Sequence, residues 1–118
     1  MYIILIHYRK PLAEVDQQKP AHSAYLDKAY AEGTMIVSGR RTDQKGGVLL
    51  ANLASRAEVD QLIAKDPYHT SGVAEYEVID FHPSKYAQDF GPFLHVPPQA
   101  DDIRPADESA GDVAGAAR

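Results

Sequence analysis

The N-terminal segment constrains this chain more than any other. Tyr2-Ile3-Ile4-Leu5-Ile6-His7-Tyr8 is an apolar, β-rich run of strand length with no regular polar alternation. A strand of this kind has both faces covered. A fold that lays helices on one side of its sheet must then cover the other side as well.

The rest of the chain supplies the helices. The spacing predicts a helix from about Asp16 to Glu32, with His22, Tyr25, Leu26 and Ala29 on one stripe. Pro20 is expected near its first turn, where a missing N–H is tolerated, and Gly33 at its left-handed C-terminal end. Thr34–Ser38 and Gly47–Ala51 read as strands, joined into a hairpin by Thr42-Asp43-Gln44-Lys45-Gly46. Ser55-Arg56-Ala57-Glu58 is a capping box. The helix it opens carries Val59, Leu62 and Ile63 inward and stops at Asp66-Pro67. A short turn of helix is expected up to Gly72, then a last strand from Glu75 to Phe81, closed by Pro83.

The order β-α-β-β-α-β specifies an α+β, ferredoxin-like fold: an antiparallel sheet with two helices on one face. The simplest cover for the other face is the same sheet from a second copy, so a homodimer is expected.

Composition sets the limits of the folded unit. Residues 88–118 hold six acidic side chains against two arginines, in a chain of 118 residues with net charge −5. From Pro97 onward there is almost nothing large and apolar to offset ordering entropy. The expected organisation is a domain over 1–87, a docking segment over 88–96 built on Phe90, Phe93 and Leu94, and a flexible acidic tail over 97–118.

Several function classes are disfavoured. There is no cysteine, which rules out disulfides, thiolate catalysis and Cys-ligated metals, and fits a cytoplasmic protein. No window approaches the roughly 18 apolar residues of a membrane helix, so no membrane partner is expected. The N-terminal run lacks the basic lead-in and cleavage site of a signal peptide. The one dense basic spot is Arg40-Arg41 with Lys45, and nothing favours nucleic acid. His7, His69, His82 and His95 lack convincing metal-ligand spacing with carboxylates, and there is no nucleophile elbow.

Four residues stand out as candidates for chemistry. His22 lies on the inner helix stripe, either as a packing histidine or as a general acid–base. Asp66 precedes Pro67, which is helix-cap chemistry, yet a carboxylate held there could also orient a histidine ring. Ser38 and Arg40 end the second strand, either as solvated strand-end residues or as an anion-holding pair.

Lys19-Pro20-Ala21-His22, Ala31-Glu32-Gly33, Ser38-Gly39-Arg40, Gly46-Gly47-Val48-Leu49-Leu50 and Asp66-Pro67-Tyr68 with Gly72 resemble, in order and spacing, the YCII-related (YciI-like) family. The resemblance covers residues 1 to about 87 and implies the dimeric α+β barrel fold. It implies a His–Asp site at His22 and Asp66. One characterised member eliminates chloride from a chlorinated hydroxyhydroquinone, and fold relatives include muconolactone isomerases.

Two functions follow as expectations. The first is a small-molecule enzyme of lyase or isomerase type acting on a ring-shaped anionic substrate. His22 moves the proton, Asp66 fixes its tautomer, and Ser38 with Arg40 holds an anionic oxygen. Such proton transfer calls for no metal or redox cofactor, and none is expected. The alternative is a non-catalytic dimeric module that binds a metabolite or serves a neighbouring enzyme, with a ligand-free structural dimer as a third, weaker option.

Overall fold

The computed structural model describes residues 1–94 and the backbone of residues 104–105. Residues 1–81 form one unit. Its elements are β1 (Tyr2–Tyr8), α1 (Leu12–Ala31), β2 (Met35–Arg40), β3 (Gly46–Ala51), α2 (Arg56–Ala64), α3 (Pro67–Thr70) and β4 (Ala74–Asp80). The sheet order is β2-β3-β1-β4, and each neighbouring pair is antiparallel. β1 and β2 therefore run the same way with β3 between them, which is the split arrangement that the element order specifies.

Alternation sorts the sheet residues onto two faces. Tyr2, Ile4 and Ile6 of β1, Leu49 and Ala51 of β3, and Met35 of β2 are buried with Val15, Leu26, Ala29, Val59 and Tyr68 from the helices. Val15, Ile4, Ala51 and Val59 are completely inaccessible, so the core lies between sheet and helices. On the other face, Ile3, Leu5 and Leu50 are half-buried, while Val37 is 56% exposed and Val48 and Ile79 are about 40% exposed. The His7 ring meets Glu77 there at 3.1 Å, and Arg9 pairs with Glu75.

β2 departs from strict alternation. A bulge between Met35 and Val37 places two steps of β2 against one of β3. Met35 thus pairs opposite Ala51, yet Ser38 and Arg40 pair opposite Leu49 and Gly47, on the same inner face. Gly46 lets β1 and β3 approach closely: a Cβ there would stand 1.9 Å from the Ile6 carbonyl oxygen.

α1 starts at Leu12, ahead of the expected Asp16, just after Pro11. The reason is Val15, which extends the buried stripe by one more turn toward the N-terminus. Pro20 consequently lies in the helix interior and not in its first turn. It is exposed, so the backbone acceptor it leaves without an N–H faces outward. Gly33 and Gly72 take the positive φ values, 80° and 76°, that favour glycine after a helix. Ser55 caps α2 by accepting from the Glu58 N–H, and the Glu58 carboxylate returns to the Ala54 N–H, one residue beyond the reciprocal partner expected. In α2 only Val59 is fully buried; Leu62 and Ile63 are half-buried.

The described residues from His82 onward belong to a second unit. Within it β5 (Lys85–Tyr86) pairs in parallel with β6 (Arg104–Pro105), and a 3₁₀ turn spans Gln88–Phe93. The Phe90 and Phe93 rings lie 5.4 Å apart. The remainder of the expected docking segment, and of the acidic tail apart from 104–105, falls outside the described residues. Among the described residues no helix is long and apolar enough to cross a membrane.

Candidate functional site

Asp66 is the fixed point of the site. It ends the loop after α2 and caps α3, its Oδ1 accepting from the Tyr68 N–H at 3.0 Å. The same oxygen is 2.7 Å from His22 Nδ1, and Oδ2 accepts from the Tyr76 hydroxyl at 2.7 Å. The carboxylate is only 1% exposed, and its charge is met by these three contacts. Cap and histidine partner are therefore two roles of one side chain.

His22 comes from the inner stripe of α1 and is nearly buried. Contact with a carboxylate makes Nδ1 the donor, so a neutral ring carries its proton on Nδ1 and leaves Nε2 as the acceptor. No described residue hydrogen-bonds Nε2. The ring is stacked on Tyr68, 3.8 Å between centroids and 4° between planes, which holds its tilt. His22 also lines a cavity of about 150 Å³ between α1 and the sheet. Its walls include Tyr8, Lys19, Ser23, Ser38, Arg40 and Tyr68, with Ile6, Leu26 and Leu49 as apolar floor.

The four residues expected from the sequence thus fall in one neighbourhood, in two layers. His22, Ser38 and Arg40 line the cavity, and Asp66 stands behind His22. Ser38 Oγ is hydrogen-bonded to the Tyr30 hydroxyl at 2.5 Å. Arg40 Nε donates to the Tyr8 oxygen at 3.0 Å, and Nη2 to Asp16. These contacts, Asp16 first, raise the Arg40 pKa further above its ordinary value, so it is a permanent cation. Among the described residues no group of three or more His, Asp or Glu side chains could hold a metal.

Sequence reasoning did not single out Tyr8, Lys19, Ser23 or Tyr76. Tyr8 was legible by period two, in phase with Ile4 and Ile6 on β1. Lys19 and Ser23 flank His22 by three residues and one on α1. Tyr76 stands between Glu75 and Glu77 on β4, and that alternation marks it as inward-facing.

Burial, the leading cause in each case, raises the pKa of Tyr2, Tyr25, Tyr68 and Tyr76, with Tyr68 reaching about 12. For Tyr76 the Asp66 charge adds to it. An unfolded chain releases its phenolic protons near pH 10. The stabilisation is complete below that pH and falls as pH rises toward the folded values. Tyrosinate absorbance of the native protein should therefore rise at higher pH than in urea, and thermal stability should fall above about pH 10. Coincident native and denatured titrations would contradict this.

The chain resembles known proteins in two ways. The YCII-related domain matches residues 1–82 of the chain. The chain belongs to the YCII-related family. Among solved structures, the 5-chloro-2-hydroxyhydroquinone dehydrochlorinase TftG of Burkholderia phenoliruptrix AC1100, in complex with 2,5-dihydroxybenzoquinone, is similar in fold. Its TM-score is 0.59 at 23% identity, over 70% of this chain and 94% of that one. A search of curated proteins finds no match. In this YCII-related domain the cavity is built by α1, the N-terminal part of α3 and the inner face of β1, β3 and β2.

Proposed function

We propose that this domain is a small-molecule enzyme that transfers a proton on a ring-shaped, anionic substrate, in a lyase or isomerase reaction. The observation that carries the reading is the His22–Asp66 contact of 2.7 Å, made by a ring that also lines the cavity. Cavity size supports the substrate class: an apolar protein cavity of about 150 Å³ admits a benzene ring. Charge supports it too, because Lys19 and Arg40 line this cavity and, among the described residues, no carboxylate does. The dehydrochlorinase name and the quinone ligand of the similar structure point the same way.

In this mechanism His22 Nε2 takes a proton from the bound ring, and Asp66 stabilises the imidazolium that forms. In elimination, the electron pair of the broken C–H bond becomes a new π bond, and the leaving group departs with its own pair. In isomerisation the proton returns to another ring atom. Asp66 is a positioning residue, since it acts through His22.

The test uses two compounds: 2,5-dihydroxybenzoquinone, followed for ring-hydrogen exchange in D₂O, and 5-chloro-2-hydroxyhydroquinone, followed for chloride release. Turnover of either above the buffer rate is the expected result. Asp66→Asn keeps the cap and can still accept from His22 Nδ1, with its amide group donating to Tyr76. It loses the charge and reverses the Tyr76 hydrogen bond, so turnover should fall at least about tenfold with a modest loss of stability. Undiminished turnover in Asp66→Asn would reduce the aspartate to a cap. Binding of these rings without turnover would favour the metabolite-binding module.

The second part of the proposal is a homodimer with the two sheets packed face to face. Its support is the row of Ile3, Leu5, Val37, Val48, Leu50 and Ile79 on the sheet face opposite α1, α2 and α3. Sedimentation at micromolar concentration should give twice the chain mass. A stable, fully folded monomer would overturn it.

A further inference from the structure

The sequence nominated Arg40 as the group that takes the anionic oxygen of a substrate. The hydrogen bonds around it point elsewhere. A guanidinium captures an oxyanion through a pair of N–H groups along one edge. The Nε/Nη2 edge of Arg40 is already filled, Nε by the Tyr8 oxygen at 3.0 Å and Nη2 by Asp16, so only its Nη1/Nη2 end is left for a ligand. Ser38 Oγ is likewise engaged, with Tyr30.

Tyr8 is half-buried and is the cavity-lining end of this chain of contacts, whose other end, Asp16, is exposed. It is the last residue of β1 and lines the same cavity as His22. Its oxygen is an acceptor for Arg40, so its own proton is the part left to give. A hydroxyl that accepts from a cation is polarised into a better donor. Tyr68 fixes Tyr8 relative to the base: its ring meets Tyr8 edge-on at 6.0 Å and lies flat on His22 at 3.8 Å. The Tyr68 hydroxyl belongs to the same cluster, since Tyr8 and Arg40 both act on its ionisation, and burial keeps it a neutral phenol to about pH 12.

Resting on the reading of this cavity as a ring-binding site, we propose that the Tyr8 hydroxyl donates the hydrogen bond that holds the anionic oxygen of the substrate, and that Arg40 is a positioning residue acting through Tyr8. The substrate class narrows accordingly to rings bearing an ionised hydroxyl, placed with that oxygen at Tyr8 and an adjacent ring position toward His22.

The experiment compares two rings of like size, 4-nitrophenol and nitrobenzene, which differ in the anionic oxygen. Tyr8→Phe should weaken 4-nitrophenolate binding about tenfold or more, the value of one hydrogen bond to a charged group, and leave nitrobenzene binding almost unchanged. The absorbance of the bound nitrophenol should move from phenolate toward phenol. Arg40→Gln should reproduce both effects, and Arg40→Lys, which keeps the charge but not the planar Nε donor, should fail to rescue them. Adding Arg40→Gln to Tyr8→Phe should weaken binding little further. Wild-type phenolate affinity in Tyr8→Phe, with His22→Asn impaired, would overturn the Tyr8 assignment alone. Full additivity of the two substitutions would return the contact to Arg40. If the unaltered protein binds neither ring, the cavity reading and the Tyr8 assignment fall together.

Discussion

The substitution His22→Asn is expected to lower turnover of a ring substrate by about 10²–10⁴-fold, the usual contribution of a positioned acid–base group, with the domain still folded. The asparagine amide nitrogen falls near the place of Nδ1, so it can still donate to Asp66. What is lost is Nε2, the nitrogen without a described protein partner beside the cavity. The stack on Tyr68 is lost too, which makes a modest fall in melting temperature part of the expected result. His22→Gln is the complementary variant: its amide falls near Nε2 but cannot serve as a base, so it too should be inactive. Retention of turnover in both variants would remove His22 from the chemistry. Circular dichroism and sedimentation on the same samples separate that outcome from unfolding.

Asp66→Ala should be the most destabilising single change at the site, by about 3–5 kcal/mol, the combined cost of three donors left without their buried acceptor. The carboxylate is 1% exposed and satisfies a backbone N–H, a phenol and an imidazole at once. Alanine leaves the Tyr68 N–H without its cap acceptor, an effect of roughly 1 kcal/mol by itself. It also leaves the Tyr76 hydroxyl and His22 Nδ1 without their buried partner, each costing about 1–3 kcal/mol if water does not enter. Because Asp66→Asn should lose only modest stability, the pair of variants separates hydrogen bonding from charge. Urea unfolding of Asp66→Ala, Asp66→Asn and the native protein measures the difference. A loss below about 1 kcal/mol in Asp66→Ala would mean that the site relaxes around the missing carboxylate, and that its hydrogen bonds contribute little to the fold.

The order of strands and helices was legible in the sequence because each element carries its own period. The uninterrupted β1, the stripe of α1 and the capping box at Ser55 are local patterns, and local patterns survive in a linear string. The helix stripe put His22 on the inner side, and Asp-Pro put Asp66 at a helix start. Their meeting at 2.7 Å depends on α1 packing against α3, which spans 44 residues of sequence. No local signal encodes that contact; the family resemblance supplied it.

Other features were decided by tertiary structure alone. The extra turn at the start of α1, which carries Pro20 into the helix interior, follows from the burial of Val15 against the core. The tyrosines escaped attention because a tyrosine in a strand reads as packing, and only the assembled sheet shows Tyr76 reaching Asp66 and Tyr8 reaching Arg40. Simple alternation along β2 from Met35 would send Ser38 and Arg40 to the opposite face. The bulge beside Ile36 turns them inward, so the sequence by itself determined which residues could line a cavity, and the register of β2 on β3 determined that they do. A strand's side-chain period is two, and one extra residue reverses every side chain beyond it. That reversal is a property of the pairing between strands and not of either strand alone.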